Sequence, residues 1–327
     1  MKIKFECPTN FINYKNNHQE VSDTSAEILI CNPGSIYKYD EQYLSQFKDL
    51  KVVGTPSTGV THIDTEYCKK NKIYVYCLLD DRKGLETITA SAEFTWLHIM
   101  NAVKKFHLSL SSVKNKHWRD HEEELRSREM SVLQLGVIGY GRIGKKVCHY
   151  AAAFDMSPIV YDIKHPWQDH IYDATDLFAS LEQIAEKSDI IAVCPYLTDT
   201  SIGMINDKFL SQCKEGCIVV NTSRGEVVDE NAICKYVKSG KIKYYSDVVY
   251  DEQNISRFFQ SELYQLLLED KVCITPHIAG ATVESQTKAL NILLSIIEDQ
   301  NFVRHLNWAS EVVATWPEWK KNILGGI

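Results

Sequence analysis

One glycine pattern in the sequence has the spacing that suits binding of a pyrophosphate. Gly139, Gly141 and Gly144 follow the order GxGxxG directly after an apolar run, Leu135–Ile138. The glycines permit a tight turn and a close approach of the backbone, and a following helix would direct its positive end at the phosphates. Alone the pattern is a weak signal. The strand before it and the helical segment after it, which lacks Gly and Pro, strengthen it into a predicted dinucleotide site.

A carboxylate follows at the position where such sites bind the ribose. Asp162 closes the next predicted strand, 158–161, at roughly the 20-residue distance from the last glycine that dinucleotide-binding folds use. A carboxylate there accepts hydrogen bonds from both ribose hydroxyls and repels a 2′-phosphate. Asp162 therefore predicts NAD rather than NADP, with an ordinary strand-end turn residue as the alternative. Lys164 and His165 nearby leave some room for NADP.

The elements around this loop predict a doubly wound parallel sheet. Short apolar runs alternate with helical patterns such as 145–153, 181–187 and 230–239. The predicted strands are Leu135–Ile138, Ile159–Tyr161, Ile190–Val193, Ile218–Val220, Tyr244–Val248 and Val272–Ile274.

The first hundred residues predict a second parallel α/β unit. Runs at 28–30, 51–54 and 73–76 are typical of buried strands, with a helix over 63–71 between them. A long helix is predicted from about 90 to 106, a polar connecting arm over 111–128, and a final helix over 282–299.

Composition limits the class of protein. The 327 residues, with 44% hydrophobic and 24% charged side chains, suit two globular domains. A formal net charge of −7 argues against a nucleic-acid surface. No secretory signal or membrane span is expected, and ten cysteines without a CxxC pair indicate buried thiols in a cytoplasmic protein.

From Leu135 onward the sequence resembles the D-isomer-specific 2-hydroxyacid dehydrogenase family, which includes D-lactate, D-glycerate and phosphoglycerate enzymes. The resemblance covers most of the chain and is strongest over 131–286. Beyond the glycine loop it rests on the blocks NTSRGEVVDE at 221–230, Asp247 with Glu252, and PHIAG at 276–280. Their shared order makes them far more specific together than singly.

The resemblance implies three catalytic residues, Arg224, Glu252 and His277. The planar guanidinium of Arg224 suits the carboxylate and carbonyl of a 2-keto acid. An imidazole can give a proton to the oxygen that receives charge during hydride transfer, and remove it in the reverse direction. Glu252 would orient that ring. Asp251 competes for this role, since Gln253 stands where the family often has Pro.

The resemblance also implies the binding residues. A turn after a predicted strand would direct backbone N–H groups at the substrate carboxylate, and we expect Thr58, Gly59 and Val60 to form it together with Arg224 and His277. The expected cofactor contacts are Gly139, Gly141, Arg142, Ile143, Gly144, Asp162, Cys194, Pro195, Ser201, Thr222, Ser223, Arg224, Asp247, His277 and Gly280.

The implied architecture has two Rossmann-like domains. An NAD-binding domain over 97–296 would be inserted into a flavodoxin-like substrate domain made of 1–96 and 297–327, with substrate in the cleft between them. Pairing through the long helix and the polar arm would give a homodimer. The implied partners are NAD and a small 2-hydroxy or 2-keto acid.

Other functions remain open at this point. An NAD(H)-sensing protein related to transcriptional corepressors would keep the fold without turnover. Formate or phosphite oxidation needs no alkoxide protonation and suits an Arg, Glu and His set less well. His117 and His121 permit a metal pair, although solvated side chains fit that charged arm better, and no metal is expected. Arg82 and Lys83 hint at a phosphorylated or second-carboxylate substrate, against a solvated basic pair.

Overall fold

The structure is a computed structural model that describes residues 1–34, 38–163 and 177–299. The chain divides into two compact units, one made of Met1–Ile88 with the chain from Val283 onward, the other of Thr89–Thr282. The predicted C-terminal part of the substrate domain beyond residue 299 lies outside the described residues.

The described strands are β1 Lys2–Phe5, β2 Gln19–Glu20, β3 Ile28–Ile30, β4 Val52–Gly54, β5 Tyr74–Tyr76, β6 Leu135–Ile138, β7 Ile159–Tyr161, β8 Ile190–Val193, β9 Cys217–Asn221, β10 Ile242–Ser246 and β11 Val272–Ile274. The described α-helices are α1 Glu41–Leu44, α2 Thr65–Lys70, α3 Arg82–Leu85, α4 Ala90–Lys104, α5 Phe106–Lys114, α6 Glu122–Leu125, α7 Arg142–Ala152, α8 Leu181–Lys187, α9 Asp207–Gln212, α10 Glu230–Lys238, α11 Ile255–Phe258, α12 Glu262–Leu268 and α13 Val283–Glu298.

The first unit is a five-stranded parallel sheet in the order β2-β1-β3-β4-β5. This is the flavodoxin-like order, so that prediction is confirmed. Apolar side chains alternate between the two faces of the strands. Ile28 and Ile30 pack against Leu290 and Leu293 of α13, while Leu29 faces the opposite core under α1 and α2.

The second unit is a six-stranded parallel sheet in the order β11-β10-β9-β8-β6-β7. Beyond β7, Phe178 forms a single parallel bridge with Val160, where the third strand of a dinucleotide-binding sheet belongs. The strand order reverses between β6 and β8. Ligands of open α/β sheets bind at the carboxyl ends of the strands beside such a reversal, so the topology points to that edge.

Helices cover both faces of this second sheet. On one face, Ile99 and Val103 of α4 and Val147 of α7 contact the strands. On the other, α8, α9, α10 and α12 contribute Ile184, Leu210, Ile233 and Leu266. None of the helices in the described parts of the chain combines the length and apolar character needed to cross a membrane.

Several predicted elements need correction. The long helix ends at Lys104 because Lys105 adopts a left-handed conformation with φ 53°, and a separate helix, α5, occupies the start of the predicted arm. The strand predicted over 244–248 lies over Ile242–Ser246 instead. There the Ser246 hydroxyl bonds the backbone of Val248 and turns the chain. Strands β1 and β2 were not predicted.

The unit boundaries also differ from the sequence interpretation. The predicted boundaries, 96/97 and 296/297, fall inside α4 and α13. The structure divides the chain before each helix, at 88/89 and 282/283. Each long helix buries its apolar face in one unit only, α4 beneath β8 and β9 and α13 beneath β3 and β4, so neither is divided.

Gly136 offers a test of the packing in the second sheet. A Cβ on Gly136 would lie 2.2 Å from Ser188 Oγ and 2.9 Å from Ile184 Cγ2, whereas one on Gly141 would meet nothing within 4 Å. We expect Gly136→Ala to lower the free energy of unfolding by about 1–3 kcal/mol and Gly141→Ala to leave it nearly unchanged. Urea unfolding measures both, and equal midpoints would contradict the described packing.

Candidate active site

The three predicted catalytic residues come from the carboxyl ends of three neighbouring strands. Arg224 follows β9, Glu252 follows β10, and His277 follows β11. These strands lie side by side and parallel, in the order β11-β10-β9, so the segments that follow them meet at one edge of the sheet. The fold thus brings together residues that are far apart in the sequence.

His277 and Glu252 form a direct pair. The Nδ1 atom of His277 lies 2.5 Å from Oε2 of Glu252, and the His277 side chain is 46% exposed, which leaves its ring open to solvent. The other carboxylate oxygen of Glu252 accepts the N–H of Val249 at 3.2 Å and ties the side chain to its own loop. Of the two candidate acids, the structure brings Glu252 to the imidazole. Asp251 instead supplies the left-handed backbone, φ 55°, that begins the turn.

Asp247 organises the loop that carries His277. Its buried carboxylate accepts the N–H of Ile278 at 3.0 Å, the N–H of Ala279 at 2.7 Å and the hydroxyl of Thr275 at 2.5 Å. Its carbonyl accepts the N–H of His277 at 2.8 Å. These four bonds hold His277 at φ 52°, a left-handed conformation that non-glycine residues seldom adopt without such support.

Arg224 sits on a turn shaped by the last residue of β9. The buried Asn221 accepts both the N–H and the hydroxyl of Ser223 and donates to the Arg224 carbonyl at 3.0 Å. One guanidinium nitrogen of Arg224 donates to the Ser223 carbonyl at 2.7 Å. The other guanidinium N–H groups meet no acceptor within residues 1–34, 38–163 and 177–299. They remain available to an anion.

A close backbone contact places the Arg224 segment against the Glu252 segment. A Cβ on Gly225 would lie 2.1 Å from both C and O of Val249, so only glycine fits there. Glu230, at the start of α10, accepts the N–H of Tyr250 at 2.8 Å. Desolvation by burial raises the pKa of Glu230 above its usual value. Together these contacts hold the loop before Glu252.

The glycine loop has the shape that a pyrophosphate needs. Gly139 has φ 91°, and a Cβ on it would lie 2.7–2.8 Å from the backbone of Cys194 and Pro195. A Cβ on Gly144 would lie 2.0 Å from Gly139 O, so α7 begins directly against the turn, with Arg142 and Ile143 in its first turn. Gly141, by contrast, faces open space. The loop therefore leaves room for phosphates at the start of an eleven-residue helix.

The remaining predicted cofactor residues lie near this loop or along the same sheet edge. Asp162 accepts the N–H of Tyr140 at 2.7 Å, which fixes its carboxylate over the glycine turn. Burial raises the pKa of Cys194 to about 12, so this residue is a thiol. Ser201 is buried and donates to the carbonyl of Tyr196 at 2.8 Å. Its hydroxyl shapes the turn after Pro195.

A family model described as "D-isomer specific 2-hydroxyacid dehydrogenase, NAD binding domain" matches residues 96–279, more than half of the chain. The chain belongs to this family.

Relatives and solved structures agree with this assignment. The chain is 30% identical over 265 residues to the hydroxypyruvate reductase of Thermotoga maritima, covering 80% of this chain and 81% of that protein. It is 29% identical over 253 residues to the glyoxylate reductase of Thermofilum pendens, covering 77% and 72%. The D-lactate dehydrogenase of Aquifex aeolicus, solved with NAD and lactic acid, superposes with a TM-score of 0.73 at 26% identity, covering 94% and 98%.

These findings establish the reaction class. The protein is an NAD-dependent D-2-hydroxyacid dehydrogenase that acts on a small hydroxy or keto acid. The relatives are named reductases and dehydrogenases, and they give no support to the alternative of a corepressor-like sensor. The chain covers only 47% of a further relative, the D-3-phosphoglycerate dehydrogenase of Archaeoglobus fulgidus.

The predicted substrate turn of the dehydrogenase lies in the first unit. The Ser57 hydroxyl donates to the carbonyl of Gly59 at 2.7 Å, and Val60 O accepts the N–H of Ile63. Within the described ranges of the chain, the backbone N–H groups of Thr58, Gly59 and Val60 have no acceptor. This geometry suits the predicted contact with a carboxylate.

Two other groups of residues from the sequence analysis lie at the surface. His117 and His121 contact each other and Asp120, with side chains 46%, 37% and 59% exposed. Their ligand atoms all lie within 4.8 Å of one another, and the expectation that they hold no metal stays a prediction. Arg82 and Lys83 of α3 are also exposed.

Several site residues of the dehydrogenase were missed from the sequence. Thr95 and His98 are buried polar residues on the apolar face of α4. Thr95 contacts Thr222 at 2.6 Å, and His98 contacts Thr275 at 3.0 Å. The signal available in the sequence was two polar residues spaced three apart on a helix face that is otherwise apolar. Asn221 and Glu230 lie in the block at 221–230 that carries the resemblance, but they were given no role, and Thr275 gave no signal, because the roles of all three depend on tertiary contacts.

Substituting Glu252 and Asp251 one at a time tests which of the two carboxylates orients the imidazole of His277. Glu252→Gln removes the charge beside His277 Nδ1, and we expect kcat/KM for the keto acid to fall about 100-fold or more. Asp251→Asn keeps a residue type that tolerates φ above zero, and we expect a change within about twofold. Steady-state NADH oxidation measures both. A larger loss in the Asp251 variant would reverse the assignment.

Proposed function

We propose that Arg224, Glu252 and His277 carry out the reaction, with His277 as the acid and base. The observation that carries this proposal is the 2.5 Å contact between His277 Nδ1 and Glu252 Oε2, beside a ring that is open to solvent. A carboxylate that accepts from Nδ1 leaves Nε2 as the atom that exchanges a proton with substrate.

The chain's own groups supply binding and proton transfer. When bound, NADH would supply the hydride to the carbonyl carbon. As that carbon is reduced, the carbonyl oxygen gains negative charge and takes a proton from His277 Nε2. Glu252 stabilises the protonated imidazole before this transfer. Arg224 neutralises the substrate carboxylate with the guanidinium N–H groups that its own turn leaves available.

The same proposal assigns the cofactor and substrate contacts. Gly139, Gly141, Arg142, Ile143 and Gly144 would hold the pyrophosphate, and Asp162 would bind the ribose. The turn of Thr58, Gly59 and Val60 adds backbone N–H groups for the substrate carboxylate. We assign the remaining predicted contacts to the nicotinamide side of the cofactor: Cys194, Pro195, Ser201, Thr222, Ser223, Asp247 and Gly280.

Short 2-keto acids are the substrates we propose. The relatives named above are a hydroxypyruvate reductase and a glyoxylate reductase, and the solved relative binds lactic acid. Each of these acids has a carboxylate next to the reacting carbon, which is the group that Arg224 suits. We propose the cytoplasm as the location, supported by ten unpaired cysteines, because a reducing compartment keeps thiols in this state.

Removing the proposed acid tests the mechanism. His277→Asn keeps a residue type that tolerates φ above zero but cannot transfer the proton. We expect kcat for glyoxylate, hydroxypyruvate or pyruvate to fall by about 100- to 10,000-fold, measured by NADH absorbance. NADH binding, measured by fluorescence, should remain.

The matched control is His149→Asn, an exposed histidine on α7. It should retain full activity. Turnover in His277→Asn at the rate of this control would exclude His277 as the acid.

We also propose a homodimer that uses α5. Phe106, Leu110 and Val113 recur at the spacing of one helix face and are 59%, 48% and 52% exposed. None of the α5 residues is buried. An apolar helix face left uncovered in a monomer is typical of a subunit interface.

A charge on this face tests the dimer. We expect the wild-type protein to show about twice the chain mass of 37.4 kDa by light scattering, and Leu110→Asp to show the single mass because a buried carboxylate opposes association. Leu268→Asp changes a leucine that is 63% exposed on α12 and should leave the mass unchanged. A wild-type monomer at about 10 μM, well above the Kd of a stable dimer, would contradict the proposal.

A further inference from the structure

A buried histidine lies behind the loop that carries His277. His98 is on α4, only 3% exposed, with its ring edge-to-face against Phe94 at 5.1 Å. Its Nε2 lies 3.0 Å from the hydroxyl of Thr275. His98 has no part in the proton transfer described above, and a histidine on a buried helix face requires a physical reason.

The proton positions in this contact follow from the neighbouring acceptors. The Thr275 hydroxyl has a single proton, and its other close partners are Asp247 Oδ1 at 2.5 Å and the Ser246 carbonyl at 3.4 Å. Both are oxygens that accept, so Thr275 donates its proton to that side, with Asp247 the closer acceptor. Thr275 therefore accepts from His98, and Nε2 of His98 carries the hydrogen.

The surroundings of the other ring nitrogen, Nδ1, determine the charge of the His98 ring. Nδ1 is buried and has no hydrogen-bond partner within the described parts of the chain. Burial lowers the pKa of His98, against the opposing influence of Asp247. A second proton on the ring would have to sit at Nδ1 with no acceptor, so the neutral form with hydrogen on Nε2 is the one that fits.

A chain of hydrogen bonds then runs from α4 to the proposed acid. His98 donates to Thr275, and Thr275 donates to Asp247. Asp247 accepts the N–H groups of the two residues after His277, and its carbonyl accepts the N–H of His277 itself. Each group in this chain can satisfy its neighbours in only one orientation. The N–H of His98 therefore influences how Asp247 accepts hydrogen bonds from the His277 loop.

We propose that His98 is a positioning residue for the reaction, which holds the His277 loop in its reactive shape through Thr275 and Asp247. The proposal rests on His277 being the acid. It concerns a residue outside the family motifs quoted above and assigns it a role in the rate of reduction rather than in binding of either ligand.

A double-mutant cycle tests this relay. His98→Leu removes the donor, and Thr275→Val removes the hydroxyl while keeping the shape. We expect each to lower kcat about tenfold or more, with KM for the keto acid and the NADH dissociation constant within about threefold of wild type. Since both act along one chain, the double variant should lose no more than the worse single variant.

Conservative variants separate positioning from mere packing. His98→Gln keeps an N–H near the place of Nε2, and Thr275→Ser keeps the hydroxyl, so both should recover most of kcat. The thermal midpoint of every variant is measured alongside. Additive losses in the double variant, or a His98→Leu enzyme with wild-type kcat, would overturn the relay.

Failure of this proposal is distinct from failure of the proposed function. If His277→Asn is inactive while His98→Leu keeps wild-type kcat, the acid stands and the relay is wrong. If His277→Asn retains activity, the assignment of the acid is wrong. Should His98→Leu not fold, the pair Thr275→Val and Thr275→Ser decides between the two outcomes: equal kcat in the two variants overturns the relay, and recovery in the serine variant supports it.

Discussion

The carboxylate of Asp247 is the contact on which the candidate active site depends. It lies buried at the end of β10 and accepts three hydrogen bonds from the loop that follows β11. A buried charge is costly unless it is fully hydrogen-bonded, and here the loop supplies those bonds. The carboxylate and the loop thus stabilise each other, and His277 takes its unusual backbone conformation as part of that arrangement.

The sheet makes this contact possible. Strands β9, β10 and β11 are parallel neighbours in register, so their carboxyl ends lie at one edge. The segments at that edge carry a guanidinium, a carboxylate and an imidazole, which are the groups that reduction of a ketone needs. Gly225 allows the segments that follow β9 and β10 to touch. The glycine loop after β6 lies along the same edge of the same sheet. The residues proposed for cofactor binding and for proton transfer therefore share one rigid support.

Much of the fold followed from the sequence because buried parallel strands are continuous apolar runs. Ile28–Ile30, Leu135–Ile138 and Ile190–Val193 were predicted to the residue. The strand near Tyr244 was misplaced, because its end is set by a serine side chain that bonds its own backbone. Helix α5 was missed because none of its residues is fully buried, and a helix with only half-buried positions gives little polarity contrast.

For the candidate site, the sequence motifs predicted which residue types take part. The structure shows which hydrogen bonds connect them. The sequence left Glu252 and Asp251 as rivals, and only the turn geometry directs one of them to His277. The buried His98 and its half-buried partner Thr275 are 177 positions apart in the chain. Hydrogen bonds across that separation depend on how α4 packs beneath the sheet, which no local pattern records.

Amide hydrogen exchange at Ile278 and Ala279, compared between the wild type and Asp247→Asn, tests most directly whether one carboxylate shapes the loop that carries His277. The substitution keeps the size of the side chain and replaces one accepting oxygen with a donor. We predict protected amides in the wild type and exchange at least about tenfold faster in the variant, which corresponds to a loss of about 1.4 kcal/mol or more. Equal protection of both amides in the two proteins would contradict the account.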